Sequence, residues 1–146
     1  MKENYIILDE IAYDNGRYET IINTPIGVFT GATKPDEVDA KYPSIYHAAE
    51  ISLAKALRRY AETMVNILKR EIKMLSGMIK QSCDFAESRT DIDNNSFRIL
   101  NGTLKQKKKE LEKWSSRVDG LTKNITNRIA ARDKIVAKYV LKDKEE

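Results

Sequence analysis

Cysteine is almost missing: Cys83 stands alone in 146 residues. That excludes a disulfide within one chain and any cysteine-built zinc site, and it fits a reducing compartment. Histidine is equally scarce. His47 has no second histidine or cysteine at metal-ligand spacing, so a structural or surface role is the reading it supports. No stretch of about 20 apolar residues occurs and no apolar leader follows Met1, so neither a membrane span nor a signal peptide is expected. These features point to a soluble protein of the cytoplasm. The six glycines and three prolines fall into no P-loop, no Gly-x-Gly-x-x-Gly and no nucleophile elbow. Carboxylates are plentiful, yet they sit in loops and on helix faces like ordinary solvated charges. The expectation is a protein that is not an enzyme, with no catalytic residue, metal or cofactor.

What is present is charge, at 33 % of the chain against 41 % hydrophobic residues. That balance suits long solvent-washed helices better than a compact α/β body. The charge is polarised. Residues 1–50 hold four basic and nine acidic side chains, a balance of −5, whereas the remainder holds 22 and 13, a balance of +9. A basic helical half invites an anionic partner. Long exposed helices are also commonly lysine-rich, and composition does not choose between these readings.

The spacing predicts an α+β chain in a single domain, 1–146: an N-terminal three-stranded antiparallel β-meander over 1–34, then a long antiparallel helical hairpin over 44–88 and 96–140. Tyr5-Ile6-Ile7-Leu8 opens a strand running to about Tyr13, and Asp14-Asn15-Gly16 is a hairpin signal because Asn-Gly tolerates positive φ. Arg17–Asn23 returns, with Tyr18, Thr20 and Ile22 alternating against Glu19, Ile21 and Asn23. Thr24-Pro25-Ile26-Gly27 makes the next turn, and Val28–Ala32 the third strand. Gly27 and Gly31, flanking that strand, read as turn residues. Three short strands cannot stand alone, so the meander must pack on the helices or on another subunit.

Helix one begins near Ser44, a good N-cap. Tyr46, Ala49, Leu53, Leu57, Tyr60, Met64, Ile67 or Leu68, Leu75 and Ile79 form its seam, with Ser76-Gly77 a place for a bend. Helix two repeats the pattern through Phe97, Leu100, Leu104, Lys107, Leu111, Trp114, Val118, Leu121, Ile125, Arg128, Arg132, Ile135 and Tyr139. A coiled-coil hairpin of this length leaves apolar surface wet, and self-association into a homo-oligomer, dimer or higher, is the natural remedy.

Arg128 and Arg132 occupy seam positions that call for apolar residues, and an arginine there needs an anion. For a hairpin folded near residue 92 the level of Arg128 is met by residues 55–59. Lys55, Arg58, Arg59, Arg128 and Arg132 would then converge near the sheet, beside Tyr46 and Tyr60, as a site for a phosphorylated aromatic ligand. Two plainer readings compete: helical drift lets Ile129 and Val136 take over the seam, or Glu50 and Glu62 pair with the arginines. Phe85, Asn94, Asn95 and Phe97 near the bend could read a base or ribose, although a hydrophobic staple and turn asparagines explain them equally. Lys105, Lys107, Lys108 and Lys109 could track a nucleic-acid backbone, but no stacking aromatics interleave them.

The string Thr24-Pro25-Ile26-Gly27-Val28-Phe29-Thr30-Gly31-Ala32, then Lys34-Pro35-Asp36-Glu37, a helix with Ala49-Glu50 and Ala54 to Arg59, and a late Arg132-Asp133 resembles small proteins of Firmicute phages and prophages. In layout the chain is similar to the phage anti-Thoeris sponges of Thoeris anti-defence family one, although its connector reads Lys-Pro-Asp-Glu where theirs has Pro-Glu-Asp. The resemblance implies a phage anti-defence protein in the cytoplasm of the bacterial host. It implies sequestration, without cleavage, of the cyclic ADP-ribose isomers made by bacterial TIR proteins. Cyclic nucleotide signals at further sites and assembly through the helices are implied too. It also implies nucleotide binding by arginines and an aromatic ring between subunits: Arg58 or Arg59, Arg128 or Arg132, Phe85 or Phe97, and Asn95. Two other functions stay open, a protein-directed inhibitor and a nucleic-acid-binding accessory factor, each using the helical hairpin.

Overall fold

The computed structural model describes residues 4–13, 17–33, 45–87 and 94–145, and within the helices the side chains of 48–81 and 98–130. Strands β1 (Ile6–Ala12), β2 (Tyr18–Thr24) and β3 (Gly27–Ala32) are followed by helices α1 (Ile45–Glu87) and α2 (Asn94–Glu145). The chain is thus α+β, an antiparallel three-stranded sheet in the order β1-β2-β3 followed by two long helices. The Asp14-Asn15-Gly16 turn, the Lys34–Pro43 connector, the Ser44 cap and the 91–93 part of the bend lie outside the described residues. Helix α1 includes Ser76-Gly77 within its bounds. Among the described residues no helix is long and apolar enough to cross a membrane.

Two compact units make up the chain, one of Met1–Tyr60 with Arg117–Glu146 and one of Ala61–Ser116. The first carries the sheet. Its central strand obeys the two-residue alternation: Tyr18, Thr20, Ile22 and Thr24 are buried, while Glu19, Ile21 and Asn23 face the other way. The β2–β3 turn closes on Gly27, whose φ of 136° disfavours any side chain. Thr24 Oγ1 donates to the Gly27 carbonyl at 2.7 Å and accepts from the Ile26 N–H at 3.3 Å. At the opposite end Thr33 Oγ1 accepts the Tyr18 N–H at 2.8 Å, and the Thr33 N–H returns to the Tyr18 carbonyl at 2.9 Å. β1 carries a bulge between Ile7 and Asp9 that leaves Leu8 without a cross-strand partner.

The covered face of the sheet meets α1. Ile22, Ala56 and Leu57 form a cluster joined by Tyr5, Phe29, Leu53 and, from α2, Leu121. Ile22 and Ile51 are fully buried, each contributing about 2 kcal/mol relative to an exposed side chain. Here α1 departs from the single expected seam. Ala48, Ile51, Ser52, Ala54, Ala56, Leu57 and Tyr60 are all buried, because the sheet covers one side of the helix and α2 packs on another. Small residues let the sheet come close. Gly31 closes the approach: a Cβ there would fall on the backbone of Ser52 and Ala56. Its glycine is required by helix–strand contact, not by the turn that the sequence suggested.

The second unit has only α1 and α2. Leu68 is its buried anchor, and Lys107 Nζ reaches Glu71 Oε2 at 2.7 Å. The Glu71 carboxylate raises the Lys107 ammonium above its ordinary pKa, against the opposing effect of burial.

Candidate cationic groove

Helix α1 presents Lys55, Arg58 and Arg59 at spacings of three and four, so the three side chains share one stripe of the helix. Close contact at Gly31 lays β3 alongside that stripe. Arg59 Nη1 donates to the Thr30 carbonyl at 3.0 Å, which covers a main-chain acceptor on the edge strand of the sheet. Antiparallel register then adds a fourth cation. Glu19 pairs with Ala32, and Thr33 bonds to Tyr18, so Arg17 at the mouth of β2 lies beside the end of β3.

Between these elements is a groove of about 690 Å³, lined by Arg17, Glu19, Thr30, Gly31, Ala32, Thr33, Lys55, Arg58, Arg59 and Ile125. The volume lies in the range of small-molecule sites, about 300–1,000 Å³. Four cationic side chains and one carboxylate are among its lining residues. That carboxylate is held by its neighbour: Tyr13 Oη donates to Glu19 Oε2 at 2.9 Å, and the Arg17 guanidinium stacks 5.4 Å from the Tyr13 ring centroid. The Glu19 hydrogen bond raises the Tyr13 phenol above its ordinary pKa. Glu19 is an acceptor for hydroxyl donors, whereas the arginines offer planar forks that match phosphate oxygens. Such a site can bind and orient. Among the described residues no group of three or more histidine, cysteine, aspartate or glutamate side chains could hold a metal ion.

The residues singled out from sequence divide. Arg58 and Arg59 line the groove with Lys55. Arg128 does not. Its Nη1 is ion-paired with Glu50, and its Nε donates to Asn124 Oδ1 at 2.6 Å. The expected level of 55–59 is therefore corrected: Arg128 meets α1 more than a turn nearer the helix start, and the carboxylate partner considered as the plainer reading is the one found. The side chains of Phe85, Asn95, Phe97 and Arg132, like that of His47, lie outside the described residues. Sequence reasoning missed Arg17, Glu19 and the Thr30–Thr33 strand edge. A signal for Arg17 existed, since the β2–β3 turn fixes which residue of β2 ends beside Thr33. No signal specified which side of α1 the sheet would cover.

No protein-family model, no curated protein and no solved structure matches the chain.

Proposed function

We propose that this protein sequesters a phosphorylated, nucleotide-type signal without altering it, and that the cationic groove beside β3 is where it does so. The observation that carries this reading is the meeting of Arg17, Lys55, Arg58 and Arg59 around one groove of about 690 Å³. The groove chemistry supports a phosphate ester. The resemblance to phage anti-Thoeris sponges supplies the narrower proposal, a cyclic ADP-ribose isomer, with cyclic dinucleotides as the neighbouring class. Outcompeting a receptor calls for nanomolar binding, near −12 kcal/mol. Several charge-assisted hydrogen bonds at about 1.5–3 kcal/mol each reach a large part of that.

Titration calorimetry against a panel of cyclic ADP-ribose isomers and cyclic dinucleotides tests it, followed by heat denaturation and chromatography of the released ligand. Tight binding with intact ligand recovered is the expected result. Arg58→Ala should weaken binding at least tenfold, while Arg128→Ala, which breaks the Glu50 pair away from the groove, should lower stability and leave affinity within a few fold. Heat from no nucleotide, or a converted ligand, removes the reading.

A second reading draws on the other unit. Lys105, Lys108 and Lys109 are exposed on α2, a face suited to a nucleic-acid backbone. Such binding must weaken steeply with salt, and duplex binding that stays flat across a salt series excludes it.

A further inference from the structure

Glu19 is the one carboxylate among the described residues that line the groove, where it stands with Arg17, Lys55, Arg58 and Arg59. A phosphate gains nothing from it, because like charges repel at close range. The carboxylate is nonetheless held in place. Glu19 lies half-buried on the central strand, opposite Ala32 of β3, which also lines the groove. Its Oε2 accepts the Tyr13 hydroxyl at 2.9 Å, and the Arg17 guanidinium lies over the Tyr13 ring. That bond uses one of the roughly four lone-pair positions a carboxylate offers. A strand glutamate that is only solvated needs no such brace, since water satisfies it in any rotamer.

We propose that Glu19 is the specificity-determining residue of the groove: it accepts a hydrogen bond from a sugar hydroxyl, and so selects phosphate esters with a free ribose hydroxyl over deoxy analogues and bare phosphates. The inference rests on the phosphate-binding reading of the groove and narrows its ligand class to ribonucleotides. Guanidinium groups only donate, and phosphate oxygens take those bonds. A carboxylate only accepts, and the ribose hydroxyls are the donors that lie nearest a nucleotide's phosphate. With the hydroxyl present the bond is charge-assisted; without it, the same carboxylate is an uncompensated negative charge beside the phosphate. Both effects favour the ribose. Because Glu19 is only half-buried, an oxygen left unfilled returns to water, so the discrimination is about tenfold and not the far larger ratio of a sealed site.

The test titrates the full chain by calorimetry with ADP, with 2′,3′-dideoxy-ADP, which lacks both ribose hydroxyls, and with inorganic pyrophosphate, which has no sugar. The parent should bind ADP about tenfold more tightly than the dideoxy analogue. Glu19→Gln should cut that ratio to about threefold or less while binding pyrophosphate about threefold more tightly, a crossing that damage to the fold does not produce. Tyr13→Phe keeps a ring beside Arg17 but releases the carboxylate, so it should lower the ratio and leave pyrophosphate affinity unchanged. Arg58→Ala should weaken all three probes together and preserve the ratio. Circular dichroism confirms that each variant keeps its helices. Equal binding of ADP and its dideoxy analogue by the parent, or a ratio that Glu19→Gln leaves intact, would overturn the role of Glu19. In that case pyrophosphate binding that Arg58→Ala abolishes keeps the phosphate-binding reading standing. A chain that takes neither pyrophosphate nor either nucleotide overturns both.

Discussion

The two units draw on the same two helices and use them differently. Along 48–60 of α1, in the sheet-bearing unit, Ala48, Ile51, Ser52, Ala54, Ala56, Leu57 and Tyr60 are buried. Along 61–81, in the helix-only unit, burial reaches only Ala61 and Leu68, and Met74 and Met78 are exposed. A two-helix contact covers one narrow stripe, while a sheet adds a second wall and changes what the helix must be made of. Alanine, serine and glycine serve the close wall; larger side chains suffice for the looser one. The difference teaches that helical periodicity reports the seam between helices and is nearly blind to a face built from small residues.

Glycine substitution breaks this comparison most sharply. At Gly31 the new methyl group of Gly31→Ala would land on α1 backbone, which cannot swing aside as a flexible side chain would. A loss of about 3 kcal/mol is expected, at the upper end of overpacking. Nothing lies within 4 Å of the corresponding Cβ at Gly77, inside α1 of the helix-only unit. There Gly77→Ala should stabilise by up to about 1 kcal/mol through helix propensity. Urea unfolding followed by circular dichroism reads both, and effects of equal sign would show that the close wall is not where it is drawn.

The buried hydroxyl pair sharpens the same wall at smaller cost. Thr20 Oγ1 and Ser52 Oγ lie 2.6 Å apart, and Ser52 Oγ also donates to the Ala49 carbonyl at 2.9 Å. Serine has one hydrogen to give, so Thr20 is the donor between them. Ser52→Ala therefore strands a buried donor and should cost about 1–3 kcal/mol. Thr20→Val keeps the volume and leaves Ser52 satisfied, so about 1 kcal/mol or less is expected. Equal losses in thermal unfolding would mean the assigned direction is wrong.

How far this architecture could be read in advance follows from the same physics. Strand alternation over Tyr18–Thr24 and the α2 seam through Leu104, Leu111, Val118 and Ile125 were legible, because large apolar side chains at fixed period announce a buried face. The alanine-rich wall of α1 was not, since alanine carries little weight in such a pattern. Arg128 was legible as a residue needing an anion. Which anion depended on a hairpin register that a few residues at the bend can shift, and Glu50 supplies it. Half of the groove was legible, in Lys55, Arg58 and Arg59; the other half, Arg17 and the β3 edge, needed the sheet to be placed on the helix. The identity of a ligand lies a step further away, because cationic side chains select charge and shape and not a particular molecule.

The helix-only unit provides the smallest test, in its ion pair. Lys107 and Glu71 keep about a third of their side-chain surface in water, so the pair is expected to contribute no more than the ordinary half kcal/mol or so of a partly exposed bridge. Its pH dependence nonetheless has a definite sign. Folding raises the Lys107 pKa above the ordinary 10.5, so the folded state holds its proton more tightly than the unfolded state does. The contribution is complete below the unfolded value and is lost as pH rises through the raised folded one. Lys107→Met should therefore lower the melting temperature slightly at neutral pH, by an amount that stays constant to about pH 10 and shrinks above it. Comparing variant and parent at each pH cancels the tyrosines and other lysines that titrate in the same window. A gap that widens with alkalinity would reverse the assigned sign, and a gap of zero throughout would make the Lys107–Glu71 contact energetically silent, leaving Leu68 and the half-buried seam to hold the helix-only unit.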